Sequence, residues 1–294
     1  MKVKLSYATA VLLGLKKGKI NFEMPTAYLM LGEKCIFNCS FCAQAREAKS
    51  KIDYLSRVKW PEYSAEEFID KINENNPFKR LCIQVVNSPN YFEELENFLK
   101  IIKEIDVLKA VSLRPKSLDE VDKVFDYGID NLGISIDVAN EKLFSEIRGG
   151  SFTSLFNILI ESAKKYSGKI TTHIIVGLGE SDEDLVNFML DMKKYNIIVS
   201  LFSFTPIQGT KYEDKEPPSI ERYRKIQFAR EIIEKHDVKK SDFSFENGNL
   251  IKLPEVEFFV EEAIKTSGCS YCTRPYYNEK PNKVLYNIPH KREV

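Results

Sequence analysis

The sequence predicts an α/β fold of parallel βα units, closed or partly closed into a barrel. Two observations predict it: short apolar or alternating runs recur along the chain, and stretches with helical periodicity separate them. An open doubly wound sheet is the competing architecture. A chain of 294 residues with 43% hydrophobic content can bury a core of that size.

The elements follow in order. The opening stretch "MKVKLSYATAVLLGLKKGK" reads as an N-terminal helix on a cytosolic protein. Its small residues precede the apolar run and lysines follow it, the wrong order for a cleaved leader, and the run is too short to span a bilayer. Strands are expected over residues 27–31, 81–86, 108–114, 132–137, 170–177 and 197–205. Helices are expected between them. "SAEEFIDKI" begins with Ser64 and Glu67, and "SLDEVDKVFDYG" with Ser117 and Glu120, both as capping boxes. "FEELENFLKIIKEI" and "SIERYRKIQFAREIIEK" carry apolar stripes at helical spacing, which suit core packing. No Pro/Ser/Gly-rich linker or internal repeat interrupts the chain, so residues 1–241 form one core and residues 242–294 a C-terminal extension rich in aromatics and prolines.

Strand alternation separates two faces. Leu81, Ile83 and Val85 share one side, and Cys82, Gln84 and Val86 the other. Ser135 and Asp137 oppose Ile134 and Ile136, while Thr171 and His173 share a side with Ile175 and Gly177. The apolar sides suit an outer ring of helices, and the mixed sides suit an interior that holds something polar.

Forty-three basic residues cancel 43 acidic ones, so the summed field draws neither nucleic acid nor an anionic membrane. The six cysteines are too few for a disulfide scaffold in a chain this long. Cys35, Cys39 and Cys42 form C-x3-C-x2-C, directly after the apolar run "AYLML". A structural zinc site wants four ligands, commonly two nearby knuckles, and the second knuckle here, Cys269 and Cys272, is remote in sequence. Zinc stays open as an alternative. Three tightly spaced thiolates also suit a cubane iron–sulfur cluster with one iron left free to chelate a ligand.

This motif, with Phe41 before its third cysteine, resembles the signature of the radical SAM superfamily. The resemblance implies a partial (βα)6 TIM-like barrel, with the motif after the first barrel strand and the C-terminal extension closing over the barrel. It also implies a 4Fe-4S cluster on Cys35, Cys39 and Cys42 whose open iron binds S-adenosyl-L-methionine (SAM), the source of a 5′-deoxyadenosyl radical. "GISID" is similar to the family's fourth-strand segment, which assigns SAM contacts to Ser135 and Asp137. "THIIVGLGESDED" is similar to the fifth-strand segment, where backbone at Ile175, Val176 and Gly177 lies against adenine. Arg148 in "EIRGG" is the candidate for the SAM carboxylate.

The resemblance is nearest to biotin synthase-like members, with one departure. Of the strand cysteines that hold the second cluster in biotin synthase, only Cys82 is matched; Ser112 and Thr171 stand at the other two positions. Cys82 with Cys269 and Cys272 instead supplies a second set of three, and so a second 4Fe-4S cluster. "NCSFCAQAR", "LSRVKWP", "LFSFTPIQGT" and "CSYCTRPYYNE" resemble the two-protein lipoyl synthases. That likeness implies sulfur insertion into a protein-bound octanoyl or mercaptooctanoyl chain. It further implies a second radical SAM protein as partner, an octanoylated carrier (lipoyl domain or H protein), a reductant such as ferredoxin or flavodoxin, and a cytoplasmic setting. Phe202, Phe204 and Tyr276 are candidate lining residues for an acyl chain. Biotin synthase, another radical SAM activity, and a zinc-binding scaffold are the alternatives.

Overall fold

Strand β2, Thr26–Leu31, is buried at every residue, as a strand packed on both faces requires. It lies in the first of two units of the computed structural model, which describes residues 1–277 and 283–289. This unit comprises Met1–Ile134, Pro206–Asp214 and Cys269–Cys272; the second comprises Ser135–Thr205, Lys215–Gly268 and Thr273–Val294.

In the first unit, β1 (Lys2–Leu5) and helix α1 (Tyr7–Leu12) precede β2. The small pair β3 (Tyr54–Leu55) and β4 (Val58–Lys59) follows, then β5 (Glu62–Ser64). After it come α2 (Ala65–Glu74), β6 (Arg80–Val85), α3 (Tyr91–Ile101), β7 (Leu108–Leu113), α4 (Leu118–Asp126) and β8 (Asn131–Ile134). The strand order is β5-β1-β2-β6-β7-β8. From β2 to β8 the pairing is parallel, with Tyr28 opposite Cys82 and Cys82 opposite Ala110. Leu81 and Ile83 are fully buried on the side away from Cys82, as alternation requires.

The N-terminal stretch corrects one expectation. It is a strand before it is a helix: β1 pairs antiparallel with both β2 and β5. Alternation over "KVKL" buries Val3 and Leu5 at 1% and 0% exposure, and helix begins only at the Ser6 cap. Four alternating residues are too few to outweigh the apolar run that follows.

The second unit contains α5 (Glu141–Ile147), α6 (Phe152–Lys165), β9 (Ile170–Val176), α7 (Asp182–Lys194), β10 (Ile198–Ser203) and α8 (Ile220–Lys235). A hairpin of β11 (Ser244–Glu246) and β12 (Asn249–Lys252) follows, then α9 (Val260–Ala263) and α10 (Arg274–Tyr277). Strands β9 and β10 are parallel, with His173 opposite Ser200 and Ile175 opposite Phe202. The sheet strands are thus six in the first unit and two in the second, mostly parallel, with helices between them in an α/β arrangement. All six expected strands are present. The largest difference is in β8, expected over 132–137 and ending at Ile134; beyond it the Ile136 amide donates to Thr172 Oγ1, and Asp137, at φ 61°, keeps an isolated parallel bridge to Ile174. Among the described residues, no helix is long and apolar enough to cross a membrane.

Candidate functional site

The cysteine loop of the first unit starts where β2 ends. Gly32 has φ 87°, and a Cβ there would stand 2.6 Å from the Val86 carbonyl, so only glycine fits the turn. The loop closes on itself. Cys35 N–H donates to Gln44 O (3.0 Å), Cys42 N–H to Cys39 O (3.1 Å) and Arg46 N–H to Phe37 O (2.8 Å). The Phe37 amide donates to Cys35 Sγ at 3.4 Å. Neighbouring segments brace it: Ile36 N–H donates to Asn87 O (2.8 Å), Tyr212 N–H to Ser40 O (3.1 Å) and Lys49 N–H to Gly209 O (2.7 Å). The Arg114 guanidinium stacks 3.8 Å from the centroid of Phe37. Cys35, Cys39 and Cys42 are free thiols, half-buried, as is Phe41. Three reduced thiols on one self-closed loop fit a cubane with an open iron.

The other three cysteines also come together in this unit. The Cys269–Cys272 segment packs on the N-terminal ends of the parallel strands, the end opposite the Cys35–Cys42 loop. Thr26 Oγ1, at the start of β2, donates to Tyr271 O (2.7 Å). Arg80, at the start of β6, donates from Nε to Ser270 O (2.8 Å) and from Nη2 to Ser270 Oγ (2.7 Å). Its remaining fork clamps Asp130 at 2.9 and 2.6 Å. Cys82 lies two residues beyond Arg80 on the same face and accepts from Gln84 Nε2 at 3.0 Å. A hydrogen bond with Cys272, and then burial, push the Cys269 thiol well up; Cys272 and Cys82 nearby add to this, and the Arg80 cation opposes it. Among the described residues, no three Cys, His, Asp or Glu side chains converge as the ligands of one metal ion would. Thiols so placed can each hold a different iron of a cubane, and the Cys269–Cys272 pair can equally form half of a zinc knuckle.

The second unit carries the residues expected to contact SAM. Asp137 forms an ion pair with Arg148, both largely buried. Its N–H donates to His173 O (2.8 Å), and its carbonyl accepts from Ile175 N–H (2.9 Å). Ser135 Oγ lies 2.7 Å from His173 Nδ1. Burial, and then the Arg274 and Arg148 cations, push His173 down to about 3, so the imidazole is neutral at neutral pH. Its ring meets Phe202 edge-on at 5.3 Å, and Arg274 stands 5.6 Å from the Phe202 centroid. Val176 is fully buried and Ile175 half-buried. Gly177 has φ 104°, with room for a Cβ refused by Pro218 Cδ at 2.7 Å. Glu180 accepts from the Gly177 and Leu178 amides at 2.7 and 2.9 Å, fixing the turn after β9. An acceptor pair, Ser135 and Asp137, beside a guanidinium suits a ligand with an ammonium and a carboxylate.

Phe204 is buried in the core, while Phe202 and Tyr276 are half-buried. Asn278 and Glu279 of the "RPYYNE" string lie outside the described residues. Sequence reasoning assigned no site role to Arg80, Asp130, Arg114 or His173. For Arg80 the signal was present, since alternation puts it on the face of Cys82. Asp130 precedes its strand and carried none.

The family model described as Radical SAM superfamily matches residues 29–192. The biotin synthase of Thermodesulfovibrio yellowstonii is 28% identical over 212 residues, covering 70% of this chain and 65% of that protein. The biotin synthase of a Sulfurihydrogenibium species is 29% identical over 187 residues, covering 62% of this chain and 55% of its own. The matched regions thus span less than two thirds of the length of these curated relatives. Among solved structures, methylornithine synthase aligns with a TM-score of 0.54 at 18% identity, over 71% of this chain and 64% of that one. The FeFe-hydrogenase maturase HydG of Carboxydothermus hydrogenoformans aligns with a TM-score of 0.55 at 20% identity, over 71% and 51%. These likenesses show the fold, an α/β arrangement of the radical SAM partial-barrel type. With its C-x3-C-x2-C loop seated after β2 and more than half its length matched by the family model, the chain belongs to the radical SAM superfamily.

Proposed function

We propose that the chain is a sulfur-insertion enzyme, one of two partner proteins that convert a protein-bound octanoyl or mercaptooctanoyl chain to lipoyl. The observation that carries this reading is the meeting of Cys82 with the remote Cys269 and Cys272 in one unit, as a second set of three thiols. When bound, the groups supply the hard chemistry: SAM on the open iron provides a 5′-deoxyadenosyl radical that removes hydrogen from carbon, and an auxiliary cluster provides sulfide. The protein's residues do the rest. Cys35, Cys39 and Cys42 would hold the first cluster, and Cys82, Cys269 and Cys272 the second. Asp137 and Ser135 would accept from the ammonium and ribose of SAM, Arg148 would answer its carboxylate, and the Ile175–Gly177 backbone would line the adenine. His173, held neutral, adds no charge against a cationic ligand.

The similarity to biotin synthases favours a second reading, sulfur insertion into dethiobiotin. One experiment separates the two. The protein is reconstituted anaerobically, its iron, sulfide and zinc are counted, and it is incubated with SAM, reductant and either an octanoyl-lysine peptide or dethiobiotin. Sulfur added by mass to the peptide supports the proposal. Sulfur added only to dethiobiotin, or zinc in place of the second cluster, overturns it.

A further inference from the structure

A sulfur-donating cluster is consumed as it works, so its site must be refilled; this inference rests on the proposed sulfur insertion. We propose that the Cys269–Cys272 segment is a latched port, through which the auxiliary site is filled from the N-terminal end of the first unit's sheet, with Arg80 as the latch.

Strand polarity separates the two ends. The radical-forming loop follows Leu31, the last residue of β2, whereas the port rests on Thr26 and Arg80, the first residues of β2 and β6. Cys82 pairs with Tyr28, three residues before the end of β2. At strand rise, that puts the two levels on the order of 10 Å apart along the sheet. SAM on the first cluster's open iron therefore occupies the far end from the port.

The port is thin. Ser270 and Tyr271 are exposed, Tyr271 at 43%, while the flanking Cys269 and Cys272 are half-buried. This turn has unusual backbone at Tyr271, φ 66°, a conformation that bulky residues rarely adopt. A turn held in such a conformation relies on its anchors.

Specific side chains anchor the turn. Arg80 is only 1% exposed and grips both the carbonyl and the hydroxyl of Ser270. Asp130 fixes the guanidinium and is itself held by Lys109 N–H at 2.6 Å. Thr26 adds the bond to Tyr271 O. A charge-assisted pair of bonds from a rigid fork holds the turn strongly, yet none of these bonds is covalent and all can reform.

The test uses the reconstituted two-cluster protein challenged with an iron chelator, and separately with iron-57 and sulfide, each with and without saturating SAM. Ser270→Ala removes one bond from an exposed residue and leaves the fold intact; Arg80→Met removes the latch. We expect Ser270→Ala to speed loss of auxiliary iron about ten-fold and Arg80→Met to speed it further. Loss from Cys35–Cys42 and SAM affinity should not change, and SAM should not slow auxiliary exchange. Equal auxiliary release in wild type and Ser270→Ala, or protection of auxiliary iron by SAM, would overturn the port. A wild type that takes up one cluster only would defeat the sulfur-insertion reading instead, and the port with it.

Discussion

Asp137 shows how much a single residue is asked to do. It sits at φ 61°, a conformation Asp tolerates better than most, and its backbone ties β9 on both sides while its carboxylate meets Arg148. Replacing it with Ala removes a charge-assisted acceptor worth about 1.5–3 kcal/mol, so SAM affinity should fall at least about ten-fold. Iron at Cys35–Cys42 should be unchanged, because that set is held by its own loop. Equilibrium dialysis with labelled SAM checks this, and wild-type affinity in Asp137→Ala would remove the role. His173 gives a pH prediction. It is depressed to about 3 from an ordinary 6.5, so between those values the unfolded chain binds the proton and the folded chain does not. Stability is then complete above pH 6.5 and is lost as pH falls toward 3. His173→Phe should flatten this acid limb in thermal melts, and the ring signals of a protein with three histidines make the titration readable by NMR. At this scale the sequence singles out candidates where a motif speaks, at the six cysteines and at Asp137. It was silent where a partner came from another strand, as with Ser135 and His173.

The elements were legible in proportion to their length and periodicity. Helices α2 and α4 begin where Ser64 and Ser117 were expected to cap them, each hydroxyl accepting from the amide three residues on. The reciprocal half of the Ser117 box is absent, because Glu120 Oε2 accepts from Lys116 N–H and Tyr91 OH instead. A tertiary partner outbid a local one. The complete box forms at Ser181 and Asp184, where aspartate stands in the place usually given to Glu or Gln. Strands β1, β3, β4, β5, β11 and β12 were missed, since two to four residues carry too little periodicity to register. The segment around Gly209 carries a prediction at this scale. It has φ 83°, and a Cβ there would stand 2.5 Å from Ser50 N and 2.8 Å from Lys49 C, both backbone atoms that cannot swing aside. Gly209→Ala should destabilise the fold by about 1–3 kcal/mol. It should also loosen the brace on the cysteine loop, visible as lower iron retention at Cys35–Cys42. Full iron retention with an unshifted melting temperature would show that the brace is dispensable.

For the molecule as a whole, the decisive feature is that all six cysteines fall in one unit as two sets of three, at opposite ends of its parallel strands. The spacing in the sequence announced the first set. The second set was drawn only from the cysteines left over and from the resemblance, because what joins Cys82 to a tail far along the chain is Arg80 reaching Ser270, a tertiary contact without a local pattern. If the second set holds the sulfur source, the two sets must be separable in function. A Cys82/Cys269/Cys272→Ala variant should then keep one cluster and SAM cleavage to 5′-deoxyadenosine, yet add no sulfur to an octanoyl or mercaptooctanoyl peptide. The complementary Cys35/Cys39/Cys42→Ala variant should keep the other cluster and lose SAM cleavage altogether. Ser or Thr could not substitute on the strands, since the hydroxyls of Ser112 and Thr171 are poor iron ligands beside thiolates. Isotope labelling carries the test to the atom: the protein is reconstituted with heavy sulfide, allowed a single turnover, and the product weighed. Heavy sulfur in the product identifies the cluster as donor. Light sulfur, or sulfur added by the variant that lacks Cys82, Cys269 and Cys272, would place the donor elsewhere and leave the second set a purely structural clasp.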